Sequence, residues 1–168
     1  MVLRFVLAFC FVAVSIGVAD TQQRSIKDDI VGAWSLVAVS AELADGSKGE
    51  PFGTNPKGII IFTPDGHFAL FQSRSELPRI ASNDRTKAAP DEAARIVGGS
   101  IAYYGTYSVS ETEKSLSVQL DGSTFPNLLG PPQKRLITSL DAGELKFANP
   151  RTPSGMTLQT AWKRAQGR

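Results

Sequence analysis

Apolar and polar residues alternate with a period of two along most of the chain, and the segments that do so are short. Residues 58–73, GIIIFTPDGHFALFQS, show the plan. Two apolar runs, 59–62 and 68–71, flank Thr63-Pro64-Asp65-Gly66. Pro64 presets φ for a turn, and Gly66 can take the positive φ that strains other residues. β-Branched and aromatic residues on both sides predict an antiparallel hairpin. Upstream, 31–40 predicts a strand with Trp34, Leu36 and Ala38 on one face. Downstream, Ile101, Tyr103, Gly105, Tyr107 and Val109 alternate against Ala102, Tyr104, Thr106 and Ser108. Leu116, Val118 and Leu120 then alternate against Ser115, Ser117 and Gln119, the pattern of a half-buried strand. Residues 134–140 and 144–147 predict a hairpin across Asp141-Ala142-Gly143, and Met156, Leu158, Thr160 and Trp162 share a face of the last strand.

Eight strands result, near 31–40, 58–63, 67–73, 100–109, 115–121, 133–140, 143–149 and 156–164. Most links are short, as antiparallel neighbours require. Ser25-Ile26-Lys27-Asp28 predicts a capped helical turn, and Asp45-Gly46 a minor hairpin within a polar loop. Residues 73–90 have no apolar period and leave the sheet as an excursion. Pro90, then Asp91 and Glu92, then Gly98-Gly99 bound one short helix over 90–97. One helix cannot cover a parallel sheet, so an α/β fold is excluded. The expected fold is an all-β, eight-stranded antiparallel up-and-down barrel, whose interior holds side chains or one small ligand. A two-sheet sandwich would fill the same core without a cavity.

Composition narrows the function classes. The 168 residues suit one domain, and 42% are apolar. Eighteen basic and 16 acidic residues give a net charge of +2 without a basic stripe, so no nucleic-acid partner is expected. Residues 1–19 read as a cleaved export signal: Arg4, an apolar run from Phe5 to Ile16, and Gly17-Val18-Ala19 ahead of a cut before Asp20. The run is too short for a membrane anchor, so the expected location is the periplasm or the medium, with no stable anchor after cleavage. The lead-in is then 20–29 and the barrel 30–165. The only cysteine, Cys10, lies in the signal. The mature chain has neither a disulfide nor a thiol nucleophile, and one histidine without cysteine assembles no metal site. No metal and no cofactor are expected.

Gly32-Ala33-Trp34, after a helical turn, resembles the G-x-W signature of lipocalins. Together with IVGAWSLVAVSAE, EPFGTNPKGIIIFTPDGHF, GSIAYYGTYSV and DGSTFPN, it makes residues 30–165 similar to the bacterial and fungal lipocalin-like domain family. The resemblance implies a calycin-type barrel in which Trp34 plugs the closed end against a basic residue near the last strand. Trp162-Lys163-Arg164 supplies that residue, with Arg164 suited to stack on an indole. The resemblance carries over no ligand and no catalytic residue. The chain also departs from the better-known lipocalins: its helix is mid-chain, and their disulfides are missing.

No catalytic constellation is assigned. His67 follows the Pro64-Asp65-Gly66 turn and reads as a surface residue. The acid pairs Asp28-Asp29, Asp91-Glu92 and Glu111/Glu113 sit at caps and turns, where acids have local reasons to be. There is no nucleophile elbow. Strand parity points Phe68, Leu70, Tyr103, Tyr107, Leu116, Val118, Arg135 and Phe147 inward as the lining of a pocket for a small apolar molecule. For the tyrosines, packing and pocket lining remain equal alternatives. Two other readings stay open: a cavity-type isomerase or cyclase using Tyr103 or Arg135, and a solid interaction protein working through 123–132 or 73–97. The 123–132 loop carries Phe125, Leu128 and Leu129 between prolines, and it either rims or folds over a mouth or, the favoured reading, is a rigid connector that buries Phe125 beneath itself. The 73–90 excursion with its helix is the candidate lid.

Overall fold

A computed structural model describes residues 25–43, 45–150, 152 and 155–167. The expected export signal, 1–19, and 20–24 of the lead-in lie outside the described residues. Nine strands follow in order: β1 (Gly32–Glu42), β2 (Lys48–Gly49), β3 (Lys57–Phe62), β4 (His67–Ser73), β5 (Ser100–Ser110), β6 (Ser115–Ser123), β7 (Gln133–Leu140), β8 (Glu144–Asn149) and β9 (Thr157–Arg164). All but β2 form an antiparallel meander that closes on itself through β1 and β9, from Trp34 opposite Arg164 to Glu42 opposite Thr157. A sandwich would leave its first and last strands as edges, whereas here β1 and β9 pair with each other. The fold is the eight-stranded up-and-down barrel. β2 is a two-residue addition to the end of β1, made by the Asp45-Gly46 turn.

The central hairpin has the expected turn. Gly66 takes φ +91°, its N–H donates to the Thr63 carbonyl at 3.1 Å, and Thr63 N–H donates to the His67 carbonyl at 2.9 Å. β3 and β4 then pair from Phe62 opposite Phe68 to Lys57 opposite Ser73. Alternation puts Ile60, Phe62, Phe68 and Leu70 inside, with Ile59, Ile61 and Phe71 outside.

Bulges change parity that a strict period of two would predict. In β1 the register shifts between Leu36 and Ala38, with Val37 as the extra residue. Trp34 and Leu36 point inward as expected, but beyond the bulge Val39 and Ala41 do so, and Ala38 is exposed. In β6, Asp121 is extra between the Leu120–Gly105 and Gly122–Tyr104 pairs.

α1 (Ile26–Ile30) is capped by Ser25, whose hydroxyl accepts from Asp28 N–H at 3.1 Å. Across the barrel end, the Glu111 carboxylate accepts from Ile26 and Lys27 N–H, both at 3.1 Å. α2 (Pro90–Gly99) begins at the expected proline but runs on through Gly98 and Gly99. Its base is tied where Arg74 N–H donates to the Gly99 carbonyl at 2.9 Å.

Turn carboxylates link this fold to pH. A hydrogen bond from the Thr63 hydroxyl holds the Asp65 carboxyl below its ordinary value, helped by His67. The Thr86 hydroxyl does the same for Asp84, backbone N–H groups of Gly143 and Glu144 for Asp141, Lys134 for Glu113, and Lys146 for Glu144. These groups bind protons less readily in the folded chain than in the unfolded one. Their stabilisation is therefore complete above the ordinary carboxyl values, 3.8 for Asp and 4.5 for Glu, and is lost as pH falls through the lower folded values. Urea midpoints are expected to be flat from pH 8 to about pH 5 and to decline steadily below it. A midpoint rising on acidification would contradict this.

Candidate functional site

The barrel has two unlike ends. The turns at 63–66, 111–114 and 141–143 lie at one end, together with α1 and the start of β1. This end is closed by Trp34, which is fully buried and donates its indole N–H to the Ile30 carbonyl at 2.8 Å. The Arg164 guanidinium lies over the indole, with Cζ 3.9 Å from the ring centroid. Arg164 also donates to three carbonyls: Asp29 at 2.6 Å, Val31 at 2.8 Å and Ala142 at 3.0 Å. Gly32 explains the first position of the G-x-W motif. It takes φ +122°, and a Cβ there would lie 3.0 Å from Arg164 Nη1.

Above this plug the interior narrows to a cavity of about 10 Å³, lined by Ile60, Phe62, Phe68, Tyr103, Leu116, Val118, Arg135 and Phe147. That is room for about one water molecule. Six of the eight residues expected to line a pocket are therefore brought together around one gap. Leu70 is buried but does not reach it. Tyr107 is turned toward the closed end, where its hydroxyl donates to the Thr63 carbonyl at 2.8 Å and its ring meets Phe62 edge-on. Burial pushes this phenol above its ordinary value, so it stays a donor. Tyr107 thus ties down the central turn and is not on the cavity.

Arg135 is the only charged side chain buried among the described residues, at 6% exposure. Among the described residues its side chain makes one hydrogen bond, to Gln133 Oε1 at 3.2 Å, and its Cζ lies 5.9 Å from the Tyr103 ring centroid. No carboxylate of the described residues pairs with it. A guanidinium keeps its proton in proteins, and burying one without a counter-ion costs several kcal/mol. One charge-assisted hydrogen bond returns about 1.5–3 kcal/mol and a cation–π contact about 0.5–2 kcal/mol. Donor capacity is left over. The Tyr103 hydroxyl makes no hydrogen bond with the described residues either.

Two further inward polar groups were not anticipated. Gln72 continues the inward series Phe68, Leu70, and Asn149 continues Leu145, Phe147. Both are buried, and Gln72 Oε1 and Asn149 Oδ1 have no hydrogen-bond partner among the described residues. Each such orphan costs about 1–3 kcal/mol. Extending the strand parity by one step would have found them, as it would have found Ile60 and Phe62. Gln72, Arg135 and Asn149 come from β4, β7 and β8, each within three residues of the strand end that faces the mouth.

The mouth is filled by Phe52, from the link before β3, and Leu128, from the loop before β7; both are partly buried and pack against the core. The 123–132 loop therefore tucks Leu128 partly inward, whereas Phe125 is 44% exposed and not buried beneath the loop as the connector reading expected. Pro126–Leu128 form a single helical turn that swings Leu128 inward, and Gln133 Nε2 donates to the Leu128 carbonyl at 2.8 Å. The apolar residues of 74–97 do not join the core, and Val97 is 72% exposed.

A larger hollow, about 270 Å³, lies open to solvent along β5, β6 and β7. Serines line much of it, and its charges, Lys134 and Glu113, pair with each other at 3.0 Å. His67 is exposed on its turn beside Asp65, at 3.3 Å. Among the described residues no three His, Cys, Asp or Glu side chains group as metal ligands. Of the acid pairs, Glu111 and Glu113 have the local duties described above, and Glu92 accepts from Ala89 N–H at 2.9 Å.

A family model described as a lipocalin-like domain matches residues 31–165. Two solved structures are similar. A de novo designed fluorescence-activating β-barrel is 12% identical with a TM-score of 0.44, over 85% of this chain and all of that one. EF1p2_mFAP2b bound to DFHBI is 15% identical with a TM-score of 0.38, over 81% of this chain and 94% of that one. No curated protein matches the chain.

Proposed function

Because the chain belongs to the lipocalin-like domain family, we propose that it binds a small, largely apolar molecule inside the barrel. The observation that carries this reading is a set of inward polar groups on a largely apolar wall: the Gln72 and Asn149 oxygens, without hydrogen-bond partners among the described residues, and the Arg135 guanidinium, held by Gln133 Oε1 alone. A barrel that only had to fill itself would be better filled by apolar side chains, since buried polar groups stabilise only when they are satisfied. A guest that presents polar atoms to them and apolar surface to Phe68, Leu116 and Phe147 resolves the mismatch.

The closed cavity admits one water, so the guest enters by displacing side chains at the mouth. Phe52 and Leu128 are the residues placed to give way, because both sit on links between strands and neither is fully buried. Export belongs to the same proposal: the secreted protein would begin at Asp20, which N-terminal sequencing reads directly.

Titration with Nile red, a neutral apolar dye, tests the binding reading. The expected result is a saturable, blue-shifted emission at one dye per chain, lost in 6 M guanidinium chloride. Emission rising without saturation would mean surface adsorption and would end the reading.

A further inference from the structure

We infer that the interior guest carries a single negative charge, a carboxylate, that pairs with the Arg135 guanidinium. The inference rests on the interior-binding reading above and names the chemistry of its ligand. Arg135 presents five N–H donors in a planar fork, and one acceptor, Gln133 Oε1, is in reach. A carboxylate matches that fork bidentately. Several acids of the barrel are already engaged, Glu113 with Lys134, Glu144 with Lys146, and Glu111 with the N–H groups of α1, and the strand acids Glu42 and Asp121 are exposed on the outside.

Charge and size select the class. One buried cation is neutralised by one monoanion, whereas a phosphate near −2 would leave a net charge in the same apolar space. The wall around Arg135 is Phe68, Tyr103, Leu116, Val118 and Phe147, which offers little to a polar body and much to a hydrocarbon or aryl one. The guest is therefore a small apolar acid, with its carboxylate toward Arg135 and its apolar part along the barrel. The unpartnered oxygens of Gln72 and Asn149 accept from any hydroxyl that the guest carries.

Decanoate and decanol share a chain and differ in charge, so competition with Nile red at pH 7.5 separates the two readings. Decanoate is expected to displace the dye at concentrations about 10- to 100-fold lower than decanol. Arg135→Met is expected to bring the two probes within about threefold by weakening decanoate alone; an apolar side chain of similar length suits this core, and near-UV circular dichroism checks that it folds. If the unaltered protein binds both probes equally, the carboxylate inference is overturned while interior binding stands. If neither probe displaces the dye, both readings fall. A preference for decanoate that survives Arg135→Met would move the anion site away from this residue.

Discussion

Replacing Trp34 with alanine is expected to lower stability by about 3–5 kcal/mol and the melting temperature by about 10 °C. The indole is fully buried, donates to Ile30, and carries the Arg164 guanidinium on its face. Truncation removes a large apolar surface and leaves a void that α1, only five residues long, cannot fill. It also strips Arg164 of its stacking partner while its three carbonyl acceptors remain. A double-mutant cycle with Arg164→Ala is therefore expected to show a coupling of about 0.5–2 kcal/mol. Chemical denaturation of the four proteins measures it. A loss below about 1 kcal/mol in Trp34→Ala would mean that the closed end is held by something other than this pair.

The second large effect comes from a residue with no side chain. Gly105 lies beside the β5–β6 bulge, and a Cβ there would stand 1.9 Å from the Gln119 carbonyl oxygen and 3.0 Å from Leu120 Cα. Both are backbone atoms of a paired strand, so they cannot swing aside as a lysine tip would. Its φ lies outside the left-handed region, and the penalty is purely steric. Gly105→Ala is expected to cost about 3 kcal/mol or to shift the β5–β6 register, which amide chemical shifts would reveal. Gly98→Ala is the control. Gly98 sits in α2 with nothing within 4 Å of its Cβ position, and the substitution is expected to stabilise by about 0.5–1 kcal/mol. Equal effects at the two glycines would remove the close-approach argument.

These two positions differ in how legible they were. Trp34 stood out because Gly32-Ala33-Trp34 opens the first strand and a stacking arginine closes the last. Gly105 looked like one more inward member of the series Ile101 to Val109. Nothing in its neighbours says that a bulge brings the facing backbone against it. Ala38 shows the same limit, since Val37 as an extra residue turns it outward.

The interior was legible to the extent that parity holds. Phe68, Leu116, Val118, Arg135 and Phe147 face one another because each continues an alternating run, and Tyr103 joins them for the same reason. Tyr107 shares that parity yet ends at the closed end with its hydroxyl on Thr63. Parity gives the side of the sheet and not the height along the barrel. Height depends on strand tilt and stagger, which are properties of the closed ring.

Local chemistry along the chain was enough to determine the main strands, the central turn, the two helices and most of the inward set. Each depends on contacts between residues close in sequence or on a period that a reader can count. Tertiary structure alone decided where bulges break that period, that Leu128 and not Phe125 fills the mouth, and that the cavity closes to the size of one water. It also decided that Arg135 lies inside without an acid of the described residues beside it. The reason is common to all four: each depends on the distance between atoms far apart in sequence, and that distance is set only once β9 meets β1.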